Sequence, residues 1–248
     1  MEINKTAILY VAHEINEYTL FNYNHIKNGL LDNFELLWCI NDSNSKYKKY
    51  KNINFYVFNY NDISKYVNIY PNIPEIIFND FSFFSKYNYY WIIEYDVLYL
   101  GNYKELFNSY NNENVDFISH IYDIHSWWHY FKFENNDLYT LTSFNTICRL
   151  SKKLVQTVIN QKYVNIKESF YETYLPSICV KENLKIKTFD YDLIEYNIYK
   201  INDNEYNINI INELYNDINK YKNKIIHPIK RLNRKQIHKI SELYLWKT

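Results

Sequence analysis

Apolar and polar positions alternate in two different rhythms over the first hundred residues. Lys5 to Ala12 is a short β-rich apolar run at the start of the chain, which predicts a central strand. From Tyr18 to Leu31 the rhythm lengthens, with Leu20, Tyr23, Ile26, Leu30 and Leu31 at helical spacing. Phe34 to Ile40 is a second apolar run, closed by the turn-forming Asn41-Asp42-Ser43, and Ile53 to Phe58 is a third. The order β-α-β-(α)-β predicts parallel strands joined by right-handed crossovers. Tyr70 to Pro74 is a loop, and Glu75 to Ser85 is a helix leading into the most apolar strand, Tyr90 to Ile93.

Gly101 and Asn102 turn the chain after that strand, and Lys104 to Tyr110 is helical. Val115 to Ser119 and Phe144 to Leu150 are expected strands, with Ser151 as N-cap of a helix over Lys152 to Gln161. Lys167 to Asn183 has a helical pattern interrupted by Pro176, and Leu184 to Phe189 is a late strand. Ile210 to Lys220 is helical, and a basic amphipathic helix follows His227-Pro228-Ile229-Lys230. No internal repeat or linker divides the chain. The expected class is therefore α/β: one domain over residues 1–248, with a mixed, mainly parallel, Rossmann-like sheet flanked by helices and a basic tail over residues 225–248.

Composition changes this picture in only a few places. The chain carries 29 Tyr, 15 Phe and 5 Trp, ample for a sizeable core, but only 2 Gly and 4 Pro. The abundance of Asn, Ile, Lys and Tyr is accounted for by a coding sequence rich in A and T, so many such positions carry no functional message. Formal net charge is zero, which gives no global field for nucleic acid. The charge is nevertheless uneven. From Lys220 onward nine Lys/Arg face one acidic residue, Glu242, a local +8 balanced by −8 elsewhere. Such a tail suits phosphates or peripheral contact with an anionic membrane surface; a solvated helix face is the plain alternative. Cys39, Cys148 and Cys179 are far apart and lie in apolar segments, which fits a reducing, cytoplasmic setting rather than a disulfide framework. The N-terminal apolar run is broken by polar residues, and no window of 18 apolar residues exists.

The candidate chemistry begins at the end of the Tyr90–Ile93 strand. Glu94 and Asp96 are two apart, so on a continuing strand they share a face. Burying such a pair is costly unless a cation or partner compensates it. Hard divalent cations take oxygen ligands, Mg²⁺ usually one or two carboxylates plus substrate phosphates. In open α/β sheets, ligands bind beyond the carboxyl ends of the strands, where these acids belong. A solvated acidic junction is the competing explanation.

The segment Tyr90-Trp91-Ile92-Ile93-Glu94-Tyr95-Asp96-Val97, with Gly101-Asn102-Tyr103 and Leu106-Phe107 after it, resembles the Asp-x-Asp region of nucleotide-sugar-dependent glycosyltransferases of the GT-A fold. More narrowly, it is similar to a group with a Trp-x-x-Glu-Tyr-Asp-Val signature. Arg149-Leu150-Ser151, Glu172-Thr173-Tyr174-Leu175-Pro176 and His227-Pro228-Ile229-Lys230 extend the resemblance over most of the chain. It implies a sugar transferred from a nucleotide-diphosphate donor to a glycan or other acceptor hydroxyl. It implies Mn²⁺ or Mg²⁺ on Asp96, with Glu94 in a ribose or water-mediated contact. Glu94 departs from the commoner first Asp. His227 would complete the metal site and Lys230 would meet the diphosphate, a role the basic tail supports independently.

Glu168 and Glu172 are four apart on one helix face, and an inverting transferase needs a carboxylate base, for which Glu172 is the candidate. His120, His125, Trp127, Trp128 and His129 form an aromatic cluster. His125 and His129 lack the third ligand of a zinc site; Trp127 and Trp128 are suited to stack on a sugar of the acceptor, and simple packing within an aromatic-rich loop is the plain alternative. His13 and Glu14 at the end of the first strand, and Asp42 after the second, stand where a nucleotide base or ribose would rest in such a fold. Two rival functions share the architecture. A nucleotidyltransferase usually needs a Gly-rich phosphate loop, and no Gly-x-Gly-x-x-Gly follows the first strand. A non-catalytic carbohydrate-binding or assembly module would bind glycan without nucleotide or metal.

Overall fold

A computed structural model describes residues 5–41, 46–59, 74–123, 141–161, 171–196, 216, 218–227, 229 and 234–245. In chain order the first half holds β1 (Thr6–Val11), α1 (Glu17–Asn28), β2 (Phe34–Ile40), β3 (Phe55–Val57), α2 (Pro74–Asn79), α3 (Phe81–Phe84), β4 (Tyr89–Glu94), β5 (Leu98–Tyr99) and α4 (Tyr103–Asn111). The second half holds β6 (Phe117–Asp123), β7 (Leu141–Ser151), α5 (Lys152–Gln161), α6 (Tyr171–Lys181), β8 (Ile186–Thr188), β9 (Ile194–Tyr196), α7 (Ile218–Tyr221), β10 (Ile225–His227) and α8 (Arg234–Leu245). By contacts the chain forms two compact units, each from three separated segments. Met1–His13, Asn33–Ile93 and Glu113–Phe189 make the first, and Glu14–Asp32, Glu94–Asn112 and Asp190–Thr248 the second.

The first unit is built on a seven-stranded sheet of order β3-β2-β1-β4-β7-β6-β8. It is mixed and mainly parallel: β1, β2 and β3 run together, β6 and β8 run together, and β7 is antiparallel to both its neighbours, β4 and β6. All six residues of β1 are buried, as are Tyr90 to Ile93 of β4, which is why both segments are near-continuous apolar runs. Trp91 is fully buried and stacks on Phe189 at 6.2 Å, while Trp38 meets Tyr10 edge-on at 5.1 Å. Burial of each such side chain contributes roughly 1.5–3 kcal/mol.

Several expected elements match and a few do not. The strand Phe34–Ile40 and the helix Lys152–Gln161 have the expected bounds, and Ser151 caps that helix by accepting the Leu154 amide at 3.0 Å. Between β2 and β3 only a 3-10 turn, Lys46–Lys49, occurs among the described residues. The single helix expected over Glu75 to Ser85 is two short ones, because Asp80 leaves helical geometry and accepts the Phe83 amide to cap α3. Pro176, expected to interrupt a helix, lies inside α6. A proline has no N–H to offer the carbonyl four residues earlier, here Glu172. The buried Ser143 hydroxyl on β7 donates to that carbonyl instead, at 3.1 Å. α6 therefore continues through Pro176 with the freed carbonyl satisfied.

Arg149 is 1% exposed and stacks over the Tyr89 ring at 4.3 Å. It donates to the carbonyls of Glu113 (2.6 Å) and Val115 (3.1 Å), fixing the approach to β6.

The second unit has a three-stranded sheet of order β5-β10-β9, with β10 antiparallel to β5 and parallel to β9. Its core joins Tyr18, Leu98, Leu100, Tyr221, Ile226, Ile229 and Ile240. Helix α1 opens with a capping box: the Asn16 side chain accepts the Thr19 amide and Thr19 Oγ1 accepts the Asn16 amide, each at 2.9 Å. It ends at Gly29, where α4 passes so close that an added Cβ would overlap Tyr103 Cβ and lie 2.7 Å from the Lys104 nitrogen.

Candidate metal centre

Glu94 is the last residue of β4, and the chain turns immediately after it. The Val97 amide donates to the Glu94 carbonyl at 3.1 Å, so Tyr95 and Asp96 form the turn. The expectation that Glu94 and Asp96 share the face of one strand is thus corrected. Asp96 is off the strand, and a turn rather than strand alternation brings the acids together. Two hydrophobic residues then form β5, and this short strand sets the register of β10, with Ile225 opposite Tyr99 and Ile226 opposite Leu98. Continuing that register brings His227 to the acidic turn. The Ile229 amide completes the link by donating to the Asp96 carbonyl at 2.8 Å.

Glu94, Asp96 and His227 each offer a ligand atom, and all three atoms lie within 4.8 Å of one another. His227 Nε2 is 3.5 Å from Asp96 Oδ1. Asp96 is 4% exposed, and its Oδ1 is a fully buried oxygen that accepts no hydrogen bond among the described residues. Leaving a carboxylate oxygen in that state is costly unless positive charge meets it. Two carboxylates and one imidazole make an oxygen-rich, mixed donor set suited to a divalent first-row or alkaline-earth ion. The residues present therefore fit a Mn²⁺- or Mg²⁺-class ion.

One contributor is absent from any reading of the sequence alone. Asn22 of α1 is fully buried, and its Nδ2 donates to the carbonyls of Val97 (2.7 Å) and Tyr95 (3.3 Å). Its only sequence signal is a polar residue between Phe21 and Tyr23 on a helix otherwise turned inward there.

The other candidates divide. Glu172 lies in the first unit, in the opening turn of α6, half-buried, and burial pushes its carboxyl up to about 7. His13, also in the first unit, is exposed beyond the end of β1, and Glu14 is exposed and supplies a backbone carbonyl to Thr19 Oγ1. His120 lies on β6, and burial lowers the pKa of its ring. Asp42, Lys230, Trp127, Trp128, His125, His129 and Glu168 lie outside the described residues. Of the basic tail, α8 is described, with Arg234, Lys235 and His238 exposed. Among the described residues no helix is long and apolar enough to cross a membrane.

No protein-family model matches the sequence, and no curated protein does. Solved structures do resemble the fold. The glycosyltransferase GlyE of Streptococcus pneumoniae covers 98% of this chain and is itself covered over 61%, at 9% identity and a TM-score of 0.50. A glycosyltransferase involved in glycosylation of the major capsid of PBCV-1 covers 96% and is covered over 99%, at 10% identity and 0.44. The 4-diphosphocytidyl-2C-methyl-D-erythritol synthase of Anaerococcus prevotii covers 76% and is covered over 88%, at 8% identity and 0.48. At such identities the likeness to GlyE is one of fold. The mixed, mainly parallel sheet flanked by helices is of the GT-A-like, Rossmann-like kind expected from the sequence.

Proposed function

We propose that this chain is a glycosyltransferase that moves a sugar from a nucleotide-diphosphate-sugar donor to an acceptor hydroxyl, with Mn²⁺ or Mg²⁺ held by Asp96, Glu94 and His227. The observation that carries this reading is the convergence of those three side chains, with the buried Asp96 Oδ1 accepting no hydrogen bond. A fold shared with a glycosyltransferase supports it.

In the reaction, the bond between the anomeric carbon and the diphosphate oxygen breaks, and the diphosphate leaves with the electron pair. The acceptor oxygen bonds to that carbon and loses its proton. A bound ion supplies Lewis-acid stabilisation of the charge that develops on the diphosphate. Glu172 is the candidate to take the acceptor proton, since a carboxylate raised to about 7 is a far better base near neutral pH than an ordinary one. Lys230 is assigned to the diphosphate, His13 and Asp42 to the nucleoside, and Trp127 and Trp128 to the acceptor sugar. The basic tail would hold the enzyme at an anionic membrane surface.

A thermal-shift and calorimetric screen of nucleotide sugars with and without Mn²⁺ tests the assignment. Binding of one donor class that requires Mn²⁺, and that Asp96→Ala abolishes, is the expected result. Donor binding that ignores both Mn²⁺ and Asp96→Ala would sink it.

A further inference from the structure

The acidic turn has a feature that its ligand role alone does not explain. Three consecutive carbonyls, those of Tyr95, Asp96 and Val97, each accept a hydrogen bond from a distant part of the chain. The outer two are held by one side-chain amide, Asn22 Nδ2, at 3.3 and 2.7 Å. The middle one is held by the Ile229 amide at 2.8 Å. With all three held, the peptide planes on either side of Asp96 cannot rotate without breaking one of these bonds. Rotation of those planes would swing the carboxylate away from His227 Nε2, 3.5 Å off.

We propose that Asn22 is a positioning residue for the candidate metal centre: its amide brackets Asp96 and fixes the direction of the Asp96 carboxylate. This rests on the metal reading above. The side chain is suited to the task in a way its isosteres are not. An amide nitrogen carries two donors, one for each carbonyl, whereas Asp would present only acceptors and Leu neither. Its placement on α1 is firm, because the capping box at Asn16 and Thr19 sets the start of that helix six residues earlier. Asn22 is itself 0% exposed, so water does not compete for its donors. Outer partners that orient a metal ligand typically change metal affinity by roughly 10–100-fold when removed.

The test compares Asn22→Ala with Asn16→Ala, which weakens the same helix through its cap and leaves the turn untouched. Mn²⁺ affinity is measured by calorimetry on the full chain, thermal unfolding on the metal-free protein, and hydrogen exchange over residues 94–99. Asn22→Ala is expected to weaken Mn²⁺ binding roughly 10–100-fold and to speed exchange in that segment. Asn16→Ala is expected to lower thermal stability while leaving both within about twofold. Asn22→Ser, which keeps one donor, carries the same comparison if the alanine variant does not fold. The proposal is overturned if Mn²⁺ affinity and exchange are unchanged in a folded Asn22 variant, or if Asn16→Ala changes them equally. Should the wild-type chain bind no Mn²⁺, the metal reading fails, and the exchange data alone still decide whether Asn22 holds the turn.

Discussion

Replacing Asp96 by Asn should make the metal-free protein more stable while destroying its response to metal. The two carboxylates offer ligand oxygens within 4.8 Å of one another. At that separation and an effective dielectric of about 20, two full charges repel by about 3.5 kcal/mol. Glu94 is half-exposed, and solvent screening reduces this to about 1–2 kcal/mol. Asn keeps the shape of Asp, removes the charge and brings two donors to a place where Oδ1 accepts none among the described residues. For a chain of this size that gain raises the unfolding midpoint by roughly 2–8 °C. Wild-type protein at a hundred times its dissociation constant for Mn²⁺ gains about 2.7 kcal/mol, and the variant should gain nothing. The two proteins therefore change rank when metal is added. Differential scanning fluorimetry with and without metal reads this directly. An Asp96→Asn protein less stable than wild type without metal would refute the electrostatic reasoning. An undiminished Mn²⁺ shift would refute the ligand assignment.

Three other outcomes follow from particular contacts. Burial raises the Glu172 carboxyl from its ordinary value near 4.5 to about 7, so the native state holds a proton that the unfolded chain releases. Stability is then full below about pH 4.5, falls as pH rises through about 7 and is flat above; urea unfolding across this window should show the slope in wild type and lose it in Glu172→Gln. Gly29→Ala should cost about 1–3 kcal/mol in denaturant midpoint, because the added Cβ meets α4 at Tyr103 and Lys104 rather than a movable side-chain tip. Ser143→Ala should cost about 1–3 kcal/mol by stranding the Glu172 carbonyl that Pro176 cannot serve; a companion Pro176→Ala, which restores an N–H donor, should recover part of that loss in a double-mutant cycle.

The legible parts of the fold were those encoded within a short window. β1, β2 and β4 are buried runs whose apolar residues stand next to one another, and α5 carries its own cap in Ser151. Where expectation and structure part, a distant group decides. Nothing near Pro176 announces that a β7 hydroxyl will replace the missing hydrogen bond, so a break was the reasonable local expectation. Asp80 misled for another reason: its capping geometry competes with helix continuation, and periodicity alone does not resolve that competition.

The same division runs through the candidate site. Glu94 and Asp96 were visible because two acids after a buried strand are anomalous in one line of sequence. His227 was visible only through a resemblance, since 131 positions separate it from Asp96 and tertiary contacts, the β5–β10 pairing and the Ile229–Asp96 hydrogen bond, bring them together. Asn22 was invisible in a chain so rich in Asn, because a common residue type carries no signal until its partners are known. Those partners are 73 and 75 residues away and are backbone carbonyls, which no side-chain pattern reveals. A site of this kind announces its charges in the sequence and conceals the neutral groups that aim them. The geometry of Asp96 is therefore more informative about function than its presence in an acid-x-acid triplet, since a buried, braced carboxylate is costly to build and a solvated one is not.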